Sequence, residues 1–459
     1  MASRLRSFLV PRVLIVARHF PPMGGAGVHR TLASVRHLGE HGFEPIVVTG
    51  PARQAPRNRW EPVDEGLAQG IPADVAVHRV ATPEPDDLAS RLDRVLGRRS
   101  SLATWWIEES VRLGCEVGRD ADVIITSCAP YETAFAGARI ARTLGLPWIA
   151  DLEDPWALDE MRIAPSRIHR EADRRAMGRA LATASAIVMA APEAAERVRR
   201  AWPDLAARIP VTGIPIGFEA TAFPSARGEH DDIFRIVHTG SLHTDLGEHL
   251  RASSRRRAVL GGTVRGLDIL TRSHVFISEA IDQVLRSDPS LAGRIELHLA
   301  GDMTDRDLAV AADRPYVRVR GLLEHAETVE LMRSADLLFL PMHDLPQGTR
   351  AGLIPYKTYE YLAARRPILA AVPDGDVRDM LDPVANVTVV RPADVDAMAR
   401  AIRARLSAAA AVGGREPDVP PPAQFECRES VAQIAAVLET VRGGRGLAED
   451  WTFVGADRR

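Results

Sequence analysis

Short, wholly apolar runs alternate with stretches of helical periodicity along this chain, and the whole alternation occurs twice. Val13-Leu-Ile-Val-Ala17 is typical: it has no polar alternation, and a glycine-rich loop then leads into helical spacing from Val28 to Leu38. A strand of that kind must be covered on both faces, which is the habit of parallel sheets wrapped by helices. The signal returns at Pro45 to Thr49, Asp74 to His78, Asp122 to Thr126, Trp148 to Asp151, Ala186 to Met189 and Val211-Thr212. A Gly-, Pro-, Ser- and charge-rich stretch over 217–232 breaks the rhythm and reads as a linker. A second series follows at Arg235 to His238, Ile295 to Ala300, Val317 to Arg320, Leu337 to Leu340, Ile368 to Val372 and Val387 to Val390. With 459 residues, too many for one ordinary core, the expected class is α/β: two doubly wound, Rossmann-like parallel-sheet domains facing a cleft. The expected boundaries are 1–220 and 233–425, then a helix within 426–442 and an unpatterned tail over 443–459.

Composition narrows the function. Hydrophobic residues at 46% and charged residues at 26% describe a globular chain, and a net charge of -3 gives no field for a nucleic-acid partner. Cys115, Cys128 and Cys427 are odd in number and far apart, so neither a disulfide framework nor a metal knuckle is expected, and a reducing cytoplasm is. The apolar stretch from Phe8 to Ala17 is broken by Pro11 and Arg12 and reads as a first strand rather than a leader. Of the 58 lysines and arginines, a single one is lysine, Lys357. A position that keeps an ammonium in so arginine-biased a chain asks what guanidinium cannot do there.

Ligands of open α/β sheets bind beyond the carboxyl ends of the strands. Three such places carry chemistry. The loop Pro21-Pro-Met-Gly-Gly-Ala-Gly27 lets backbone approach an anion, but Arg30 stands where a dinucleotide motif needs its last glycine, so NAD is not expected. The block Asp151-Leu-Glu-Asp154-Pro-Trp156, with Tyr131 after the preceding strand, offers carboxylates and aromatic rings for sugar hydroxyls; Asp154 has an equal reading as a helix cap ahead of Pro155. Cys128 lacks a visible base and reads as a small core residue. In the third place, Pro355 opens a helix that carries Lys357 and Glu360 on one face and ends before Pro367. Ammonium plus carboxylate suits a nucleoside diphosphate, the first for phosphate and the second for ribose; the plainer reading is a surface ion pair. A long segment from Thr244 to Thr271, bearing Arg251, Arg255, Arg256, Arg257 and Arg265, fits no element and reads as a solvated loop or an anion-attracting lid.

These blocks, taken with Gly213-Ile-Pro-Ile-Gly-Phe218, His238-Thr-Gly-Ser241, Leu299-Ala-Gly-Asp302, Val319-Arg-Gly321 and Arg366-Pro-Ile-Leu, resemble the retaining GT-B glycosyltransferases of the family 4 (glycosyltransferase group 1) type. The resemblance covers most of the chain outside the Thr244–Thr271 segment and the tail. It implies a nucleotide-diphosphate sugar as donor substrate, held mainly by the C-terminal domain, and a glycan, lipid-linked or small natural-product acceptor held mainly by the N-terminal one. It implies retention at the anomeric carbon, no cofactor and no metal, and a last helix that crosses back to the first domain. Glu360 matches the ribose-binding glutamate, Gly24 and Gly25 approach the diphosphate, and backbone near Leu322 faces the base. Ser241, Gly352 and Leu353 complete the donor set, and Tyr131, Asp151 and Asp154 form the acceptor set. Lys357, Arg272 and Asp154 are the catalytic candidates. The chain departs from the family pattern in two ways: Gly352 stands eight residues before Glu360, where a second glutamate is common, and the Thr244–Thr271 segment displaces the usual phosphate-binding loop. Arg265 and Arg272 both compete for that phosphate role, with Arg272 preferred because helical patterning resumes just after it.

Two other functions share the same pattern. A nucleotide-sugar epimerase or hydrolase would use Asp151 and Asp154 as acid and base, and a non-catalytic partner of a transferase would bind donor without turnover. The stretch from Arg91 to Trp106 reads first as a packed amphipathic helix and second as a weak contact with the inner face of a membrane.

Overall fold

The computed structural model describes residues 10–52, 63–82, 100–223, 231–254 and 259–444. They form two compact units, one within Met1–Asp159, His169–Gly217 and Gln424–Arg459, the other within Glu160–Ile168 and Phe218–Ala423. Both are parallel α/β sheets, as the apolar runs require.

The first unit holds seven strands, β1 (Arg12–Ala17), β2 (Glu44–Thr49), β3 (Ala76–Arg79), β4 (Val123–Ser127), β5 (Trp148–Leu152), β6 (Ala186–Met189) and β7 (Val211–Gly213). The second holds six, β8 (Phe234–Thr239), β9 (Ile295–Ala300), β10 (Val317–Gly321), β11 (Leu337–Pro341), β12 (Ile368–Ala371) and β13 (Val387–Val390). Their orders are β3-β2-β1-β4-β5-β6-β7 and β10-β9-β8-β11-β12-β13. Each sheet therefore starts in its middle and reverses direction once, between β1 and β4 or between β8 and β11. At such a reversal the loops after the two strands diverge and leave a crevice. The two reversals locate the candidate sites.

The cores follow from the same runs. Val13, Ile15, Val47, Ile125, Ile149 and Val188 pack with Val431, Ile434 and Leu438 of the helix Cys427–Arg442, which belongs to the first unit. In the second, Ile236, Leu297, Leu299, Phe339 and Leu369 pack with Ile277, Ile281, Met398 and Ile402. Trp106 lies on the helix Ser101–Val117, fully buried, and its indole N–H donates to Thr133 Oγ1 at 3.0 Å. That helix is packed; residues 91–99 lie outside the described ones. No helix among the described residues is long and apolar enough to cross a membrane.

The Thr244–Thr271 segment differs from the loop expected of it. It begins with a helix, Thr244–Ala252, whose buried residues are Thr244, Gly247 and Leu250. The spacing is helical, but a threonine and a glycine at buried positions hide it from a hydrophobicity pattern. Gly247 is required: a Cβ there would lie 2.3 Å from Leu270 Cα. At the far end Ile269, Leu270 and Thr271 are buried, and Thr271 Oγ1 donates to Met342 O at 2.9 Å. Arg251 is tied to Asp268 at 2.6 Å. Arg255, Arg256 and Arg257 lie outside the described residues, as does the tail from 445.

Candidate functional site

In the second unit β8 ends at Thr239 and the chain turns at Gly240, where φ is 89°. A Cβ on Gly240 would sit 3.0 Å from Lys357 Nζ, so glycine lets the ammonium rest against the turn. Lys357 begins the helix Lys357–Ala363, in which the other six residues are buried. Tyr361 pins that helix to the sheet, its hydroxyl accepting from Thr239 N at 2.9 Å. Arg366 fixes the exit, donating to Ala335 O and to Asp418.

Lys357 Nζ lies 3.3 Å from His238 Nε2, and His238 Nδ1 lies 3.0 Å from Phe339 O. Only a protonated Nδ1 can serve that carbonyl, which leaves Nε2 as an acceptor for the ammonium. Burial and the facing Lys357 hold His238 well below its ordinary range, so the ring stays neutral. Lys357 itself is pushed down to about 7, first by burial and then by the Arg272 charge, with Glu360 opposing. This is not the surface ion pair of the plainer reading, because the lysine's hydrogen-bond partner is His238 and not Glu360. Two cations held close together in a partly dehydrated place attract an anion strongly, and a bound anion would restore the ammonium.

The remaining sequence candidates fall around this centre or away from it. Glu360, 7% exposed, accepts from His325 Nε2 at 2.8 Å. Arg272 is half-buried and places Nη1 3.2 Å from Met161 Sδ, whereas Arg265 is exposed. Ser241 follows Gly240 and is half-buried; Leu322, 63% exposed, stands in the loop after β10. Gly352 is buried, and its N–H donates to Glu160 Oε1 at 3.0 Å; Leu353 is half-buried. The position eight before Glu360 thus receives a carboxylate from another part of the chain. Sequence reasoning missed His238, His325, Glu160 and His343. His238 lies in the run His238-Thr-Gly-Ser241, but nothing local marks Glu160.

In the first unit Gly24 and Gly25 lie between β1 and the helix Ala26–His37, with φ 92° at Gly25. Tyr131 stacks on Trp156 with centroids 5.2 Å apart, and Phe135 meets the same ring edge-on at 5.8 Å. Asp154 is half-buried beside that aromatic group in sequence. Asp151 differs from expectation. Arg30 Nε donates to both of its oxygens, at 2.9 and 2.7 Å, and Arg30 Nη1 donates to Ile214 O and Pro215 O. Both residues are under 5% exposed, so Asp151 joins strand to helix through a buried ion pair. Glu153, between the two aspartates, is the group that sequence reasoning passed over. Burial and the neighbouring Asp154 push it up to about 8, so it is mainly protonated at neutral pH. Burial likewise pushes the Cys128 thiol up to about 12, consistent with a core residue.

Comparison with known proteins gives two family matches. Residues 24–217 match the glycosyl transferase 4-like domain, and residues 267–408 match the domain of glycosyl transferases group 1. No curated protein sequence matches the chain. Among solved structures, sucrose-phosphate synthase from Thermosynechococcus elongatus superposes with a TM-score of 0.61 at 14% identity, over 95% of this chain and 100% of that one. Anabaena HepE in complex with UDP and glucose gives 0.56 at 14% identity, over 94% and 100%. A putative UDP-N-acetylglucosamine 2-epimerase from Listeria monocytogenes gives 0.55 at 11% identity, over 97% and 100%. At such identities the likeness is one of fold, and that fold is two Rossmann-like domains of the GT-B kind.

Proposed function

We propose that this chain, a GT-B glycosyltransferase by its two domains, moves a sugar from a nucleotide-diphosphate sugar to a glycan, lipid-linked or small-molecule acceptor with retention at the anomeric carbon. The observation that carries the reading is the Lys357–Arg272 pair, two cations beside a neutral histidine at the switch point of the second sheet. Lys357 and Arg272 take the diphosphate, and Glu360 takes the ribose hydroxyls. As the glycosidic bond lengthens, charge grows on the leaving diphosphate, and both cations stabilise it more than they stabilise the bound donor. Attack from the face that the diphosphate leaves requires no protein nucleophile. In the first unit, Asp154 and the Tyr131–Trp156 aromatic pair supply the acceptor side. HepE, solved with UDP and with UDP-glucose, is a similar fold with such ligands, which supports a nucleotide-sugar donor here. The chemistry needs neither metal nor cofactor, and the reading places the protein in the cytoplasm or at the inner face of the membrane.

The test is a thermal-shift panel of nucleoside diphosphates and nucleotide sugars, since a ligand that binds the folded state raises Tm by mass action. A matching diphosphate should raise Tm and NAD should not; a chelator should leave transfer unchanged. Stabilisation by NAD alone, or strict dependence on a divalent ion, would contradict the reading. Glu360→Ala is expected to raise donor KM about 10- to 100-fold with kcat nearly unchanged, because hydrogen bonds to a charged group contribute about 1.5–3 kcal/mol and ribose is held alike in ground and transition states. Steady-state kinetics over donor concentration measures it.

A second reading draws on Glu153. A carboxyl still protonated at neutral pH can serve as a general acid, which suits hydrolysis or epimerisation of the donor. Release or epimerisation of the sugar at full rate without any acceptor would favour it.

A further inference from the structure

Residues Glu160–Ile168 interrupt the first unit and are built into the second. Ala164 N donates to Gly262 O at 2.9 Å, and a Cβ on Gly262 would fall 2.1 Å from Ala164 O, so the two backbones are in direct contact. At the start of the segment Glu160 is 3% exposed, and its Oε1 accepts from Gly352 N at 3.0 Å and from His343 Nε2 at 3.1 Å. His343 is 0% exposed. The next residue, Met161, meets Arg272 Nη1. One short segment therefore touches both the loop that precedes Lys357 and the arginine that accompanies it.

A buried carboxylate is costly unless its oxygens are engaged, and a loop backbone can be held more cheaply by its own neighbours. The position of this one has a consequence for a linear ligand. A nucleotide sugar runs ribose, diphosphate, sugar. Glu360 lies in the first turn of the helix that Lys357 begins, and residues 352–356 lead into it, so a ligand laid from Glu360 past Lys357 would run on toward them. Gly352 has no side chain to bring there.

We propose that Glu160 is a positioning residue for the sugar end of the donor. Its carboxylate fixes the Gly352 backbone and His343, so that loop 352–356 meets the sugar while Lys357 meets the diphosphate. The inference rests on the donor reading above.

Binding alone tests it, with no acceptor needed. UDP, ADP, GDP and dTDP and their glucose esters are titrated by calorimetry into wild type, Glu160→Ala and Glu160→Gln, and the pair that binds wild type is compared. Glu160→Ala should keep the diphosphate Kd within about threefold and weaken the nucleotide sugar about tenfold or more, the scale of one buried hydrogen bond to a charged group. Glu160→Gln should recover to within about threefold, because its amide oxygen can take the place of Oε1 and accept from both Gly352 N and His343 Nε2. If Glu160→Ala does not fold, His343→Ala is expected to show the same split. Equal weakening of both ligands, no weakening of either, or failure of the glutamine to rescue overturns the role of Glu160 while leaving the donor reading in place. A wild-type chain that binds none of these ligands contradicts the donor reading and the inference together.

Discussion

Lys357→Ala is expected to lower kcat about 30- to 1,000-fold, in transfer to an acceptor or in slow transfer to water, since a charged contact to developing phosphate charge is worth about 2–4 kcal/mol in the transition state. The same substitution should not destabilise the empty protein. Lys357 is held near Arg272 with its ammonium driven down to about 7, so in the absence of ligand its charge is a cost to the fold and not a support. Melting of the ligand-free variant at or above the wild-type temperature, together with lost turnover, distinguishes a ligand-binding cation from a structural one. Lys357→Arg should rescue in part: the guanidinium keeps the charge, but its planar fork is larger than the ammonium that rests against Gly240 and His238 and directs its donors differently. Equal kinetics in all three proteins would return Lys357 to the role of a framework residue.

Asp151→Ala is the second large effect, and it concerns the fold. Removing one member of a buried ion pair leaves the other charge uncompensated, at about 3–5 kcal/mol. Arg30 would then lie buried without its carboxylate, while still donating to the carbonyls of Ile214 and Pro215. Denaturant unfolding should show the loss as a lower midpoint. The paired change Arg30→Met with Asp151→Leu should recover most of it, because two apolar groups need no partner. A stable Asp151→Ala protein with defective acceptor binding would show instead that Asp151 faces the acceptor.

What could be read from the sequence depended on range. The central strands were legible because they are covered on both faces, and a short run such as Val13 to Ala17 has few other uses; edge strands such as β10, Val317–Gly321, are exposed and were legible by their place in the alternation. The doubly wound class was legible from the strand–helix alternation, while the strand order comes from the structure. Lys357 was legible because it is the single lysine, and Glu360 because it lies one turn away. The helix Thr244–Ala252 was not, because its buried face is built from a threonine, a glycine and a leucine. The partner of Asp151 was hidden for a different reason. A carboxylate at a strand end looks the same in sequence whether it awaits a ligand or meets Arg30, and that partner sits on a helix 121 residues earlier. The His238–Lys357 contact and the Glu160–Gly352 bond span 119 and 192 residues, beyond any local pattern.

Proton uptake on donor binding tests the central assignment most directly. The diphosphate of a nucleotide sugar is a diester and does not titrate near neutrality, so a proton taken up must go to the protein. Lys357, pushed down to about 7 in the empty site by burial and the Arg272 charge, is mostly neutral at pH 8, and an adjacent diphosphate raises it again. His238, held well below its ordinary range by burial and the Lys357 charge, stays neutral across this range. Calorimetric titration of the bound nucleotide sugar at pH 8, in buffers of different ionisation enthalpy, should therefore report net proton uptake by wild type. Lys357→Arg should show none, and wild-type affinity should fall as pH rises above 7 while that of the arginine variant stays level. Binding without proton uptake in wild type, at an affinity that Lys357→Ala leaves unchanged, would contradict the account.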